Sequence, residues 1–69
     1  MFSHRRKIIG KSVYYVSEQR GTYRVSEIFN GSTVAKSDYV HYNIEDALQE
    51  LNGIRCEQYY TDCSRAIRF

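Results

Sequence analysis

At 69 residues the chain can support one hydrophobic core, because a domain of this size hides only roughly 60% of the surface its unfolded chain exposes. Ten basic against eight acidic side chains leave a net charge of +2, too small to name nucleic acid as the partner from charge alone. Two cysteines form no disulfide framework, no apolar run approaches the roughly 20 residues of a membrane span, and the first ten residues lack the apolar stretch of a signal peptide, so a cytoplasmic protein with no membrane association is expected.

The chain opens with a basic arm over residues 1–11, where Arg5, Arg6, Lys7 and Lys11 stand without an acid; the rest, residues 12–69, has six basic and eight acidic side chains and reads as a single domain. The arm is expected to be loose or to add to a sheet edge. Residues 12–18, Ser-Val-Tyr-Tyr-Val-Ser-Glu, are β-branched and aromatic and predict a first strand, closed by a turn through Gln19, Arg20 and Gly21. Residues 22–29 repeat that chemistry, and Asn30-Gly31 then supplies the dipeptide that best tolerates the two positive φ angles of a type I′ hairpin. Residues 33–42 have strand propensity in Val34, Tyr39, Val40 and Tyr42 and predict a third strand.

Asn43 reads as a helix N-cap, Glu45 and Asp46 sit where the helix dipole favours acids, and Gly53 reads as the residue just past the helix end. Between them Ile44, Ala47, Leu48 and Leu51 form one apolar stripe. After Gly53, the residues Cys56, Tyr59, Tyr60, Cys63 and Ile67 recur at spacings of three and four and predict a second helix, with a strand as the competing reading. The expected fold is α+β: a three-stranded antiparallel meander packed against one or two C-terminal helices.

Chemistry is sparse. The histidines are His4 in the arm and His41 near the end of a strand, neither in a catalytic motif; His41 is expected as a half-exposed strand histidine with no chemical role, a pairing with Asp38 or Cys56 being the alternative. The separation of Cys56 and Cys63 matches no zinc spacing, and both are expected as small, reduced, buried core residues. The four glycines are isolated, which excludes a phosphate loop, and Glu45, Asp46, Glu50, Glu57 and Asp62 read as a solvated helical face. No catalytic residue, metal or cofactor is expected. Strand alternation sends Tyr14 and Tyr15 to opposite faces, so at least one exposed aromatic is expected.

The order of Gly21-Thr-Tyr-Arg-Val-Ser-Glu, a hairpin through Asn30-Gly31, a strand to Tyr42 and Asn43-Ile-Glu-Asp-Ala-Leu is similar to the AP2-like and recombinase arm-binding DNA domains. That resemblance covers about 30 residues and implies a sheet face that reads DNA. Residues 12–42 hold Arg20, Arg24 and Lys36 against Glu18, Glu27 and Asp38. In size, aromatic strands, acidic helix and lack of an active site the chain also resembles small phage-encoded inhibitors of the anti-CRISPR or host polymerase inhibitor type. This second resemblance implies a non-enzymatic regulatory or inhibitory module, monomeric or homodimeric, that binds a protein partner.

Tyr15, Tyr23, Tyr39, Glu45, Asp46 and Glu50 are the residues expected to meet that protein, with tyrosines as anchors and acids complementing a basic surface. The alternative is a small nucleic-acid-binding protein using Arg5, Arg6 and Lys7 of the arm together with Arg20, Arg24 and Lys36 of the sheet.

Overall fold

The computed structural model describes residues 5–60. Four strands, β1 (Arg6–Ile9), β2 (Ser12–Gln19), β3 (Thr22–Phe29) and β4 (Ser32–Lys36), form an antiparallel sheet in the order β1-β2-β3-β4, followed by one helix, α1 (Ile44–Gly53). The class is α+β, as expected, with four strands in place of three. The extra strand is β1. Its Lys7 and Ile9 lie on the helix side of the sheet and Arg6 and Ile8 on the other, so part of the basic arm joins the edge of β2.

Two of the turns follow from their dipeptides. Arg20 and Gly21 have φ of 53° and 80°, Asn30 and Gly31 of 53° and 88°, the paired positive values of type I′ turns whose twist matches the flanking strands. β2 and β3 consequently stay in register from Ser12 opposite Phe29 to Gln19 opposite Thr22. β4 pairs less regularly, since Glu27 faces Ala35 and Ile28 faces Thr33, which leaves Val34 as an extra residue in the strand.

The strand expected over residues 33–42 ends at Lys36. Ser37 is buried, its amide donates to the Val25 carbonyl, and its Oγ accepts from the Tyr39 amide at 3.0 Å. That local turn replaces the ladder. The chain rejoins β3 at His41, which exchanges two backbone hydrogen bonds with Tyr23.

Asn43 caps α1, its Oδ1 accepting from the Glu45 amide at 2.9 Å. Ala47 and Leu51 are buried and Ile44 and Leu48 pack beside them, so the expected stripe faces the sheet. Tyr14, Val16 and Val25 supply the sheet side of this core, and Ile54 closes it from beyond the helix. Gly53 is a correction: it is the last helical residue, and Ile54, extended and fully buried, is the C-cap. Burying the Ile54 side chain requires the chain to turn down toward the sheet instead of passing through a left-handed glycine.

The last carbonyls of α1 receive a cation from a distant strand. Lys7 Nζ on β1 donates to the carbonyl oxygens of Asn52 at 3.2 Å and Ile54 at 2.6 Å, and the helix has no basic residue of its own in its last turn.

The second helix expected after Gly53 is corrected only in where it starts. Residues 54–58 form a turn, with Gln58 at a φ of 58°; helical backbone begins at Tyr59, and the remainder of the expected helix lies outside the described residues. Cys56 is exposed, not buried, because this turn directs it outward; Cys63 lies outside the described residues. No described helix is long and apolar enough to cross a membrane.

Candidate functional site

Strand alternation gives the sheet two chemically different sides. On the helix side a polar network lies inside the core. Glu27 is 0% exposed, and its carboxylate accepts from Ser12 Oγ at 2.8 Å, from Tyr14 OH at 3.1 Å and from the Tyr60 amide at 3.1 Å. Tyr14 OH shares its proton with the Cys56 carbonyl at 2.7 Å and accepts from the Tyr59 amide at 2.8 Å. Ser12 Oγ accepts from the Gln58 amide.

A buried carboxylate is costly unless its lone pairs are filled, and here they are filled by groups that the strands and the 54–60 segment bring to it. Burial above all pushes the Tyr14 hydroxyl up to about 12. A sealed carboxylate and a phenol held protonated fasten the segment to the sheet; they offer no path to a substrate.

Beside this network, His41 Nε2 donates to Glu50 Oε1 at 2.6 Å and Tyr60 OH donates to Glu50 Oε2 at 2.7 Å. His41 thus pairs with Glu50 of α1, not with Asp38 or Cys56: the bridge to Tyr23 turns the imidazole toward the helix. Burial, and then the Glu50 hydrogen bond and charge, push the Tyr60 hydroxyl upward. No hydroxyl or thiol nucleophile among the described residues is bonded to this histidine. Glu50 and Glu57, the latter accepting from the Lys11 amide at 2.8 Å, leave the expected solvated acidic face for structural roles; Asp62 lies outside the described residues.

The other side of the sheet has no described helix packed over it, although Ser26 is buried there between its neighbours and Val40 of the 37–43 loop borders it. The register sets Arg6, Tyr15, Ser26 and Lys36 in one cross-strand row spanning β1 to β4, with Ile8, Val13, Ile28 and Thr33 in the adjacent row. Arg24 lies opposite Ser17 on the same side. The strands contain two acids, Glu18 and Glu27, and both fall on the helix side. The open side is therefore basic and apolar, without a strand carboxylate.

Alternation also divides the arm. Arg6 lies on the open side and exposed, while Lys7 is spent on the helix end. Arg5 is exposed just before β1, and Arg20 is exposed in the β2–β3 turn. Ser17, Gln19, Thr22, Arg24, Lys36 and Val40 line a shallow depression of about 180 Å³ at one corner of this side.

The residues expected to meet a protein are dispersed. Tyr15 is half-buried on the open side, Tyr23 packs against the core, and Glu50 is engaged by His41 and Tyr60. Tyr39 remains, 69% exposed in the 37–43 loop, with Tyr42 at 79%, and Glu45 and Asp46 are exposed in the first turn of α1. Sequence reasoning missed the depression and the acid-free face. The acid-free face was accessible from alternation, because Arg24 and Glu27, or Tyr15 and Glu18, are three residues apart on a strand and must face opposite ways, whereas the depression depends on the β4 bulge and on Val40 of the loop.

No family model, curated protein or solved structure matches this chain in any of the three comparisons.

Proposed function

We propose that this protein is a non-enzymatic nucleic-acid-binding module that meets the phosphate backbone with its open sheet side. The observation that supports the reading is the row Arg6-Tyr15-Ser26-Lys36 with Arg24 beside it, on a side with no strand acid. Four strands about 4.8 Å apart carry Arg6 and Lys36 roughly 14 Å from each other, with a tyrosine between them. Separation of the charges across the sheet matters more than their sum. Glu27 is inside the core and Glu18 points the other way, so neither opposes an approaching polyanion on this side.

The test is fluorescence anisotropy with a labelled single-stranded oligodeoxynucleotide across a salt series. Three cations predict a log–log salt slope of about −2, with modest affinity near 10⁻⁵ M. Joint replacement of Arg6, Arg24 and Lys36 by glutamine should abolish binding, and Glu45→Gln with Asp46→Gln should not weaken it. A slope that survives the triple replacement would refute the reading.

A second reading, a regulatory module that docks a basic protein, is favoured by one observation: Tyr39 and Tyr42, strongly exposed, precede in the chain the exposed Glu45 and Asp46. Large exposed aromatics rimmed by one sign of charge are how interface anchors present themselves. The absence of any oligonucleotide binding at low salt would leave this reading standing in place of the first.

A further inference from the structure

We infer that the depression between Arg24 and Lys36 is a subsite for one backbone phosphate and that Tyr15 beside it stacks the attached base, so that this face selects single strands over duplex. The inference rests on the nucleic-acid reading above and adds to it where the strand lies and what form it takes.

Lys36 is opposite Ser26, so Arg24, two residues back along β3, is its diagonal neighbour, about 7–8 Å away across the ladder. Two long cations at that separation can converge on one anion. Neither side chain makes a hydrogen bond or ion pair with a described residue, although Arg24 is half-buried. An unpaired guanidinium at the wall of a concave site is a donor set waiting for an oxyanion.

The rest of the lining agrees in sign. Ser17 Oγ already donates to the Arg24 carbonyl at 3.3 Å and Thr22 Oγ1 to the Gln19 carbonyl at 2.6 Å, which leaves Arg24, Lys36 and the Gln19 carboxamide as the free donors. No acid borders the depression. A backbone phosphate suits this set because its two non-bridging oxygens can accept from the guanidinium fork and the ammonium together.

Tyr15 faces Ser26 and is the diagonal neighbour of Arg24 on the side away from Lys36. A phosphate held at Arg24 and Lys36 brings its nucleoside over Tyr15, and Arg6, opposite Tyr15 on β1, meets the following phosphate. A flat ring on an open sheet stacks an unpaired base and gains nothing from a paired one, whose faces are already stacked in the duplex. Tyr15 thereby fixes the preference for single strands.

The experiment uses the full chain and amide chemical shifts, with three probes: inorganic phosphate, adenosine 5′-monophosphate and an oligodeoxynucleotide offered single-stranded or as a duplex. Phosphate alone should move Gln19, Thr22, Arg24 and Lys36, and the nucleotide should move Tyr15 as well. Tyr15→Leu should weaken single-stranded binding about tenfold and leave duplex binding unchanged, with Tyr15→Phe restoring the original affinity.

Shifts spread evenly over all exposed cations, duplex bound as tightly as single strands, or a silent Tyr15→Leu would each overturn the subsite. In those cases an oligonucleotide salt slope near −2 would still hold for the broader reading. Failure of every probe to bind would overturn both.

Discussion

Tyr14 shows how one hydroxyl can be worth more than its ring. It joins β2 to two backbone groups of the 54–60 segment and to Glu27, and burial keeps it protonated to about pH 12. The folded protein therefore holds this proton more tightly than the unfolded chain, whose tyrosines ionise near 10. Its contribution to stability is complete below pH 10 and is lost as pH rises through 12, and Tyr60, shifted in the same direction, adds to the decline. Unfolding free energies from urea titrations between pH 8 and 11.5 should fall by up to about 1.4 kcal/mol per pH unit for each hydroxyl. Tyr14→Phe should cost about 1–3 kcal/mol at pH 8 yet flatten that alkaline decline, and an unchanged decline would place the ionising group elsewhere. None of this was legible in the sequence, because the hydroxyl's partners lie 13 to 45 residues away and the tyrosine itself looks like any strand aromatic. Glu27 was equally hidden: counted as a surface acid opposing DNA, it is a core acceptor.

At the level of elements, what the sequence disclosed is what local periodicity can encode. β2, β3, their I′ turns and the capped helix all follow from patterns a few residues long. β1 was only half visible, because Arg6-Lys7-Ile8-Ile9 is short and half charged, and its strand state depends on pairing with β2. The 54–58 turn was misread because Cys56 fits the helical spacing of Tyr59 and Tyr60, while its carbonyl is held by Tyr14 on the sheet and helical backbone starts only at Tyr59. The Lys7 cap is likewise a product of pairing register, and it separates two adjacent cations by role. Lys7→Met should cost about 1–2 kcal/mol and speed amide hydrogen exchange in the last turn of α1. Arg6→Met, one residue earlier and exposed, should leave both unchanged. Equal effects of the two changes would show that Lys7 acts only as a general charge.

The described residues form a plate with opposed sides, basic and apolar on one, closed by an acidic helix on the other. The buried network of Ser12, Tyr14 and Glu27 faces inward between sheet and helix, so a contact on the other side of the sheet would displace none of it. The connectivity that builds the plate also sets a timetable for its assembly. Every strand pairs with its neighbour in sequence, so the meander closes only short loops and should form early. The bonds from Lys7, Lys11, Ser12 and Tyr14 to residues 52–59 span 42 to 47 residues and require the sheet to exist first. They belong after the rate-limiting barrier, where they act as a latch on a completed sheet. Glu57→Ala, which releases the Lys11 amide, should raise the unfolding rate about fivefold in stopped-flow measurements and leave the refolding rate unchanged. Slower refolding of that variant would put the latch in the nucleus. With the latch late, the lifetime of the folded state is governed by the 54–60 segment, while the speed of reaching it is governed by the hairpins.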